Sequence, residues 1–166
     1  MRISSENLWA ISMMGWLGLT IGFKVVQLSV KCWEGLMDIV IDTSALIAVI
    51  VNEPERKRII PVTAGNTLIG PGSIPWEIGN AFSAMFNRSR LSLDGAARGI
   101  EIFEGIPLRY VKSDLANAIR IAKETGMYAY DAYFLDCAVR HKSPLLTLDT
   151  KLMKAAKAVH VDVLEV

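Results

Sequence analysis

Four acidic residues occupy positions from which their carboxylates could act together. Asp42 and Asp149 each end a short apolar run, and Glu77 and Asp131 open amphipathic helical stretches. Strand ends and helix starts meet at one edge of a parallel α/β sheet, so side chains that are distant in sequence can converge there. Clustered carboxylates repel one another unless a positive charge lies among them, and a hard divalent cation accepts such oxygen ligands. The pattern therefore predicts a site for Mg²⁺ or Mn²⁺ held by these four acids.

The chemistry that suits such a site is phosphodiester hydrolysis. Divalent cations lower the pKa of a coordinated water and neutralise the charge that develops on the phosphate. Three uncharged side chains are expected to orient the acids: Ser44, Asn80 and Thr147. Two other acids are excluded. Asp38 starts its strand and so lies at the opposite edge of the sheet. Asp136 follows the predicted metal ligand Asp131 by five residues and projects about 140° away from it around the helix.

Alternating strand and helix signals from Met37 onward predict an α/β domain with a parallel sheet. The predicted strands cover residues 38–42, 67–70, 108–111, 144–149 and 160–163. Helices are predicted between them and are expected to bury apolar stripes. Two of these predicted stripes are Leu93, Ala96, Ala97 and Ile100 in one helix and Leu115, Ala118, Ile119 and Ala122 in the next.

Size and charge limit the functional classes. A chain of 166 residues is long enough for one domain with a sizeable core. Its formal net charge of +1 provides no global basic field, so any contact with nucleic acid must rely on local groups. We expect Arg88 or Arg90, together with Lys151, to lie near the cleft and contact RNA phosphates. Neither the cysteines nor the histidines have the spacing of a zinc site or a catalytic triad.

The first 36 residues differ in character from the rest. Their uncharged stretch, residues 8–23, is shorter than the ~20 apolar residues that span a bilayer, and no signal-peptide cleavage site follows it. The codons for residues 33–35 must contain the purine-rich sequence GGGARGG just before the Met37 codon, which resembles a bacterial ribosome-binding site. We hypothesise that residues 1–36 are a misassigned upstream extension, although an anchor that recruits residues 25–30 stays open. The intact mass of the native protein distinguishes the two.

The four acids lie in motifs that resemble one known family, the PIN-domain ribonucleases, and especially the VapC toxins of bacterial and archaeal toxin-antitoxin pairs. The motifs are Val-Ile-Asp42-Thr-Ser-Ala, Pro-Trp-Glu77-Ile-Gly-Asn80-Ala, Tyr130-Asp131-Ala-Tyr-Phe-Leu and Leu-Thr147-Leu-Asp149-Thr-Lys-Leu. The resemblance covers residues 37–166 and omits residues 1–36. Asp136 is a departure, because the family more often has a small or apolar residue there.

This resemblance implies a three-layer α/β/α domain with a five-stranded parallel sheet ordered 3-2-1-4-5. It also implies a cytoplasmic, homodimeric endoribonuclease that uses Mg²⁺ or Mn²⁺ and is inhibited by a small antitoxin protein, without stable membrane association. The alternative is a catalytically silent PIN-like scaffold that only binds partners. The resemblance leaves open which RNA is cut and whether one or two metal ions bind. A haloacid-dehalogenase-like phosphatase is excluded, because it needs a second acid at the position that Ser44 occupies.

Overall fold

The computed structural model describes residues 37–166; the proposed extension, residues 1–36, lies outside the described residues. The strands are β1 (Asp38–Ile41), β2 (Thr67–Pro71), β3 (Leu108–Val111) and β4 (Leu145–Leu146). The helices are α1 (Thr43–Ile50), α2 (Arg56–Thr63), α3 (Ile74–Asn87), α4 (Leu93–Glu104), α5 (Leu115–Thr125), α6 (Ala129–His141) and α7 (Thr150–Ala158). Within this range, no helix is long and apolar enough to cross a membrane.

The sheet is parallel and its order is β3-β2-β1-β4. This confirms the predicted α/β fold, except that the described range contains four strands instead of five. The segment predicted as the fifth strand forms one parallel bridge, between Leu145 and Val163, on the outer side of β4. Two physical reasons limit it: β4 offers only two residues for pairing, and the positive φ of His160, 58°, interrupts an extended backbone.

The central strand β1 is buried, with Ile39 and Val40 inaccessible to solvent. Strands covered on both faces read as continuous apolar runs, which explains the sequence of β1. Helix α6 packs against β1 and β2, and its Phe134 and Leu135 belong to the same core. The strand ends are therefore fixed by the best-packed part of the domain.

Two predicted helical stripes are only partly correct. Leu93 and Leu115 are 76% and 64% exposed, and Ile100 and Ile119 are also exposed. Ala96 and Ala118 of the predicted stripes are buried as expected, and α5 also buries Ile121. In α4 the small residue Gly99 is buried instead of Ile100. Gly99 shows why, because a Cβ atom there would lie 2.8 Å from the ring of Phe82. Close packing of α4 against α3 thus turns the larger apolar side chains outward.

Candidate active site

Asp42 is the best-fixed acid of the predicted site. It follows β1 directly, caps the first turn of α1, and is only 6% exposed. Its Oδ2 accepts hydrogen bonds from Ser44 N at 3.3 Å, from the Ser44 hydroxyl, and from the Thr147 hydroxyl at 2.7 Å. Oδ1 accepts none from the described residues, so this oxygen is the one available to a ligand.

The same two hydroxyls connect the end of β1 with the end of β4. Leu148 N donates to Ser44 Oγ at 3.0 Å, and Asp149 N donates to Thr147 Oγ1 at 3.0 Å. Asp149 then caps α7, where its Oδ1 accepts from Lys151 N at 2.6 Å and Leu152 N at 3.2 Å. Ser44 and Thr147 therefore hold two of the four acids in a fixed relation.

Glu77 lies in the first turn of α3, the helix that follows β2. Its carboxylate accepts hydrogen bonds at both oxygens, from Thr43 Oγ1 at 3.0 Å and from Ser73 Oγ at 2.8 Å. Thr43 is the residue after Asp42, so it connects the acid of α3 directly to the end of β1. The sequence reasoning did not include Thr43 or Ser73. Their position beside the acids was the only sequence signal, since hydroxyls near a helix start are usually caps.

Electrostatic effects show that the four acids lie at one place. Burial raises the pKa of Glu77, and the charges of Asp42 and Asp131 raise it further, against hydrogen bonds from Ser73 and Thr43 that lower it. Burial also raises the pKa of Asp131, and the charges of Asp149 and Asp42 add to the effect. Each acid of the quartet thus interacts with at least one other, so strand ends and helix starts bring them to the same edge.

The donor set fits a hard divalent cation. It contains carboxylates and hydroxyls, which Mg²⁺ and Mn²⁺ prefer over the sulfur and imidazole ligands of zinc sites. Burial, and to a smaller extent the neighbouring carboxylates, raise the pKa values of Glu77 and Asp131, and a bound cation would favour their ionised forms. Among residues 37–166, no three acidic, histidine or cysteine side chains stand close enough to hold a metal ion as they are. Without a bound cation, repulsion between the carboxylates opposes the closer approach that binding one shared metal ion requires.

The other residues predicted for the site are Lys151, Asn80, Arg88 and Arg90. Lys151 lies beside the acids, since its charge lowers the pKa of Asp131. Asn80 is exposed one turn after Glu77, and its side chain forms no hydrogen bond with the described residues. Arg88 and Arg90 lie beyond the C-terminal end of α3, roughly 17 Å from Glu77 along the helix at about 1.5 Å per residue. Their contact with RNA phosphates stays a prediction.

The two excluded acids have structural contacts elsewhere. Asp38 forms an ion pair with Arg109 across the start of the sheet. Asp136 is fully buried and accepts hydrogen bonds from Asp114 N and Asn117 Nδ2, each at 2.7 Å. Both carboxylates are therefore occupied by protein groups away from the quartet.

Comparison with known proteins agrees with this architecture. The family model described as PIN domain matches residues 39–158. A solved structure described as the crystal structure of PAE2754 from Pyrobaculum aerophilum has the same fold, with a TM-score of 0.58 and 21% sequence identity over 74% of this chain and 83% of that chain. No curated protein sequence matches the chain significantly. Because the family model spans well over half of the sequence, the chain belongs to the PIN domain family.

Proposed function

We propose that the protein is a metal-dependent endoribonuclease and the toxin component of a VapBC-like toxin-antitoxin pair. PIN domains are typically nucleases that use divalent metal ions. The observation that carries the proposal is the mutual electrostatic influence of Asp42, Glu77, Asp131 and Asp149 at the sheet edge. These four residues are the proposed ligands for Mg²⁺ or Mn²⁺, which when bound would activate water and neutralise charge on the scissile phosphate.

The protein groups around the ligands have separate tasks in this proposal. Ser44 and Thr147 bind one oxygen of Asp42 and leave the other free to face the substrate side. Thr43 and Ser73 fix both oxygens of Glu77, which reduces the conformational freedom lost when the substrate binds. Lys151 supplies positive charge next to Asp131, where a phosphate of the RNA would otherwise be repelled.

A small antitoxin partner is supported by a groove between α1, α3 and α4. This groove has a volume of about 420 Å³, with the apolar side chains of Ile50, Phe82 and Met85 in its walls. Its charged residues are two basic ones, Arg90 and Arg98, and one acidic one, Glu53. An amphipathic segment with acidic residues fits both features. A groove of this kind, together with the exposed apolar residues of α4 and α5, supports protein partners, among them a second copy of this chain.

RNA cleavage with added Mn²⁺ by the wild type and by Asp42→Asn tests the catalytic proposal. The substitution keeps an acceptor for the Ser44 and Thr147 hydroxyls but removes the negative charge. We expect activity to fall at least 100-fold, because loss of a metal ligand removes transition-state stabilisation on the order of 3 kcal/mol or more. Asp38→Asn is the matched control, since Asp38 lies at the opposite edge, and should cleave as the wild type does.

The same assay separates the nuclease from the silent scaffold. If the wild type and Asp42→Asn give equal cleavage, or if neither cleaves any RNA with Mg²⁺ or Mn²⁺, the catalytic proposal is wrong. In that case a partner-binding PIN-like scaffold is the better account. Co-purification with the product of a neighbouring small open reading frame tests the antitoxin separately.

A further inference from the structure

Tyr128 is an aromatic side chain in an unusual place. It is 85% exposed, although large aromatic residues normally bury most of their surface. It lies beside the candidate active site, because it is the N-cap residue of α6 and Asp131 lies in the first turn of that helix. The neighbouring Tyr130 packs edge-on against Tyr133, with ring centroids 5.7 Å apart. Tyr128 has no such aromatic neighbour among the described residues, so its ring face is available.

A basic groove begins beside Tyr128. Its volume is about 430 Å³, and its walls include Gly126 and Met127 of the α5–α6 loop and Lys151 and Lys154 of α7. Neither lysine forms an ion pair with the described residues, whereas other cations do. Asp149, one of the four acids, caps the start of α7, and Lys151 and Lys154 follow it along that helix. The groove therefore runs away from the four acids.

The acidic residue in the same groove does not cancel this charge. Glu124 also belongs to the wall, but its carboxylate pairs with Arg120 at 2.7 Å. The two lysines therefore give the groove its positive charge, although Lys151 also interacts with Asp131 at the end nearest the acids. A polyanion suits this surface better than an apolar protein segment, because lysines bind phosphate oxygens without reading a base sequence.

We propose that Tyr128 stacks on an unpaired base beside the scissile phosphate, while Lys151 and Lys154 bind the phosphates that follow it along the groove. This subsite rests on the proposed nuclease function and adds the direction in which the RNA leaves the site. An exposed tyrosine ring stacks on any base, so it adds affinity without sequence preference.

A binding cycle between the tyrosine and the base tests the proposal. The probes are a fluorescein-labelled single-stranded 12-mer RNA of mixed sequence and the same backbone with all bases removed. Binding is measured by anisotropy with the full chain carrying Asp42→Asn, so that the probe stays intact. We expect Tyr128→Ala to weaken binding of the normal RNA about 5- to 100-fold and to leave binding of the abasic RNA within about 2-fold. Tyr128→Trp should retain the wild-type affinity.

The lysines should behave differently from the tyrosine. Lys154→Ala is expected to weaken both probes equally and to reduce the salt dependence of binding by about one phosphate contact. Two matched controls should change nothing: Tyr110→Ala, an exposed tyrosine on β3, and Lys123→Ala, an exposed lysine outside the groove.

Three results would overturn the subsite. They are unchanged binding of the normal RNA by Tyr128→Ala, an equal loss on the abasic probe, and no binding of either probe at low salt. Failure of the proposed function gives a different pattern. If Tyr128-dependent binding is observed but the wild type does not cleave the probe with Mn²⁺, the subsite stands and the nuclease does not.

Discussion

At the scale of single residues, the candidate site lowers the stability of the fold. Burial and neighbouring charges raise the pKa values of Glu77 and Asp131, so their ionised forms are less favourable in the folded chain than in the unfolded chain. Hydroxyl groups compensate this only in part, through Thr43 and Ser73 at Glu77. Sites that concentrate like charge for a function commonly cost stability in this way.

Asp131→Asn should therefore stabilise the protein at neutral pH. A carboxyl whose pKa is raised by folding binds more protons in the folded state, so ionisation removes stability as pH rises through the folded pKa. The gain from the substitution is present at pH 7.5 and vanishes as pH falls below the unfolded pKa of about 3.9. It should be on the order of 0.5 kcal/mol, because solvent screens this partly exposed group. Urea unfolding in EDTA at pH 7.5 and pH 4 measures it.

The opposite sign would count against the repulsive cluster. A variant that is less stable than the wild type at pH 7.5, or a gain that is as large at pH 4, contradicts the account. Glu101→Gln, an exposed acid on α4, is the control and should not change the free energy of unfolding at either pH.

At the scale of secondary-structure elements, Asp136 connects α6 to the start of α5. Its buried carboxylate accepts from Asp114 N and Asn117 Nδ2, and Arg140 lies 3.6 Å from it. Asp114 separately caps α5 through hydrogen bonds to the second and third residues of that helix. The departure from the family pattern at Asp136 is thus a contact between two helices.

Asp136→Ala should destabilise the domain by about 1–3 kcal/mol, because it leaves a partly buried backbone N–H and a partly buried amide without their acceptor. Asp136→Asn should cost less, since it keeps one carbonyl acceptor. Chemical denaturation followed by circular dichroism gives both values. Equal stability of Asp136→Ala and the wild type would show that the carboxylate does not support α5, and the exposed Glu104→Ala provides the reference.

Local signals made most elements and the acidic cluster predictable. The apolar run that ends at Asp42 and the proline-started helix that contains Glu77 are short-range patterns, and parallel strands must end at one edge. Which face of a helix is buried depends instead on its neighbours. Leu115 was expected in the core because periodicity defines a stripe but not its direction, and the structure turns it outward. The contact between Thr43 and Glu77 likewise needs the folded sheet.

At the scale of the whole molecule, exposed apolar side chains indicate surfaces for partners. Leu115 and Ile119 lie one helical turn apart on α5 and are 64% and 56% exposed. A net charge of only +1 provides little repulsion between copies of the chain. These features are consistent with the proposed homodimer.

Leu115→Glu combined with Ile119→Glu should convert that dimer to a monomer, because it places charges in an apolar contact. Size-exclusion chromatography with light scattering gives the mass, and the melting temperature at high dilution shows whether the fold is intact. Ala116→Glu, an exposed position on the same helix, should leave the dimer unchanged. A wild type that is monomeric at high concentration, or a double variant that still dimerises, rules out this face.

The central claim is that the four acids form one metal site, and calorimetric titration of Mn²⁺ into the wild type, Asp42→Asn and Asp38→Asn tests it most directly. We expect saturable binding by the wild type, at least tenfold weaker binding by Asp42→Asn, and unchanged binding by Asp38→Asn, whose carboxylate pairs with Arg109. Absence of Mn²⁺ binding by the wild type, or equal binding by all three proteins, would contradict the claim.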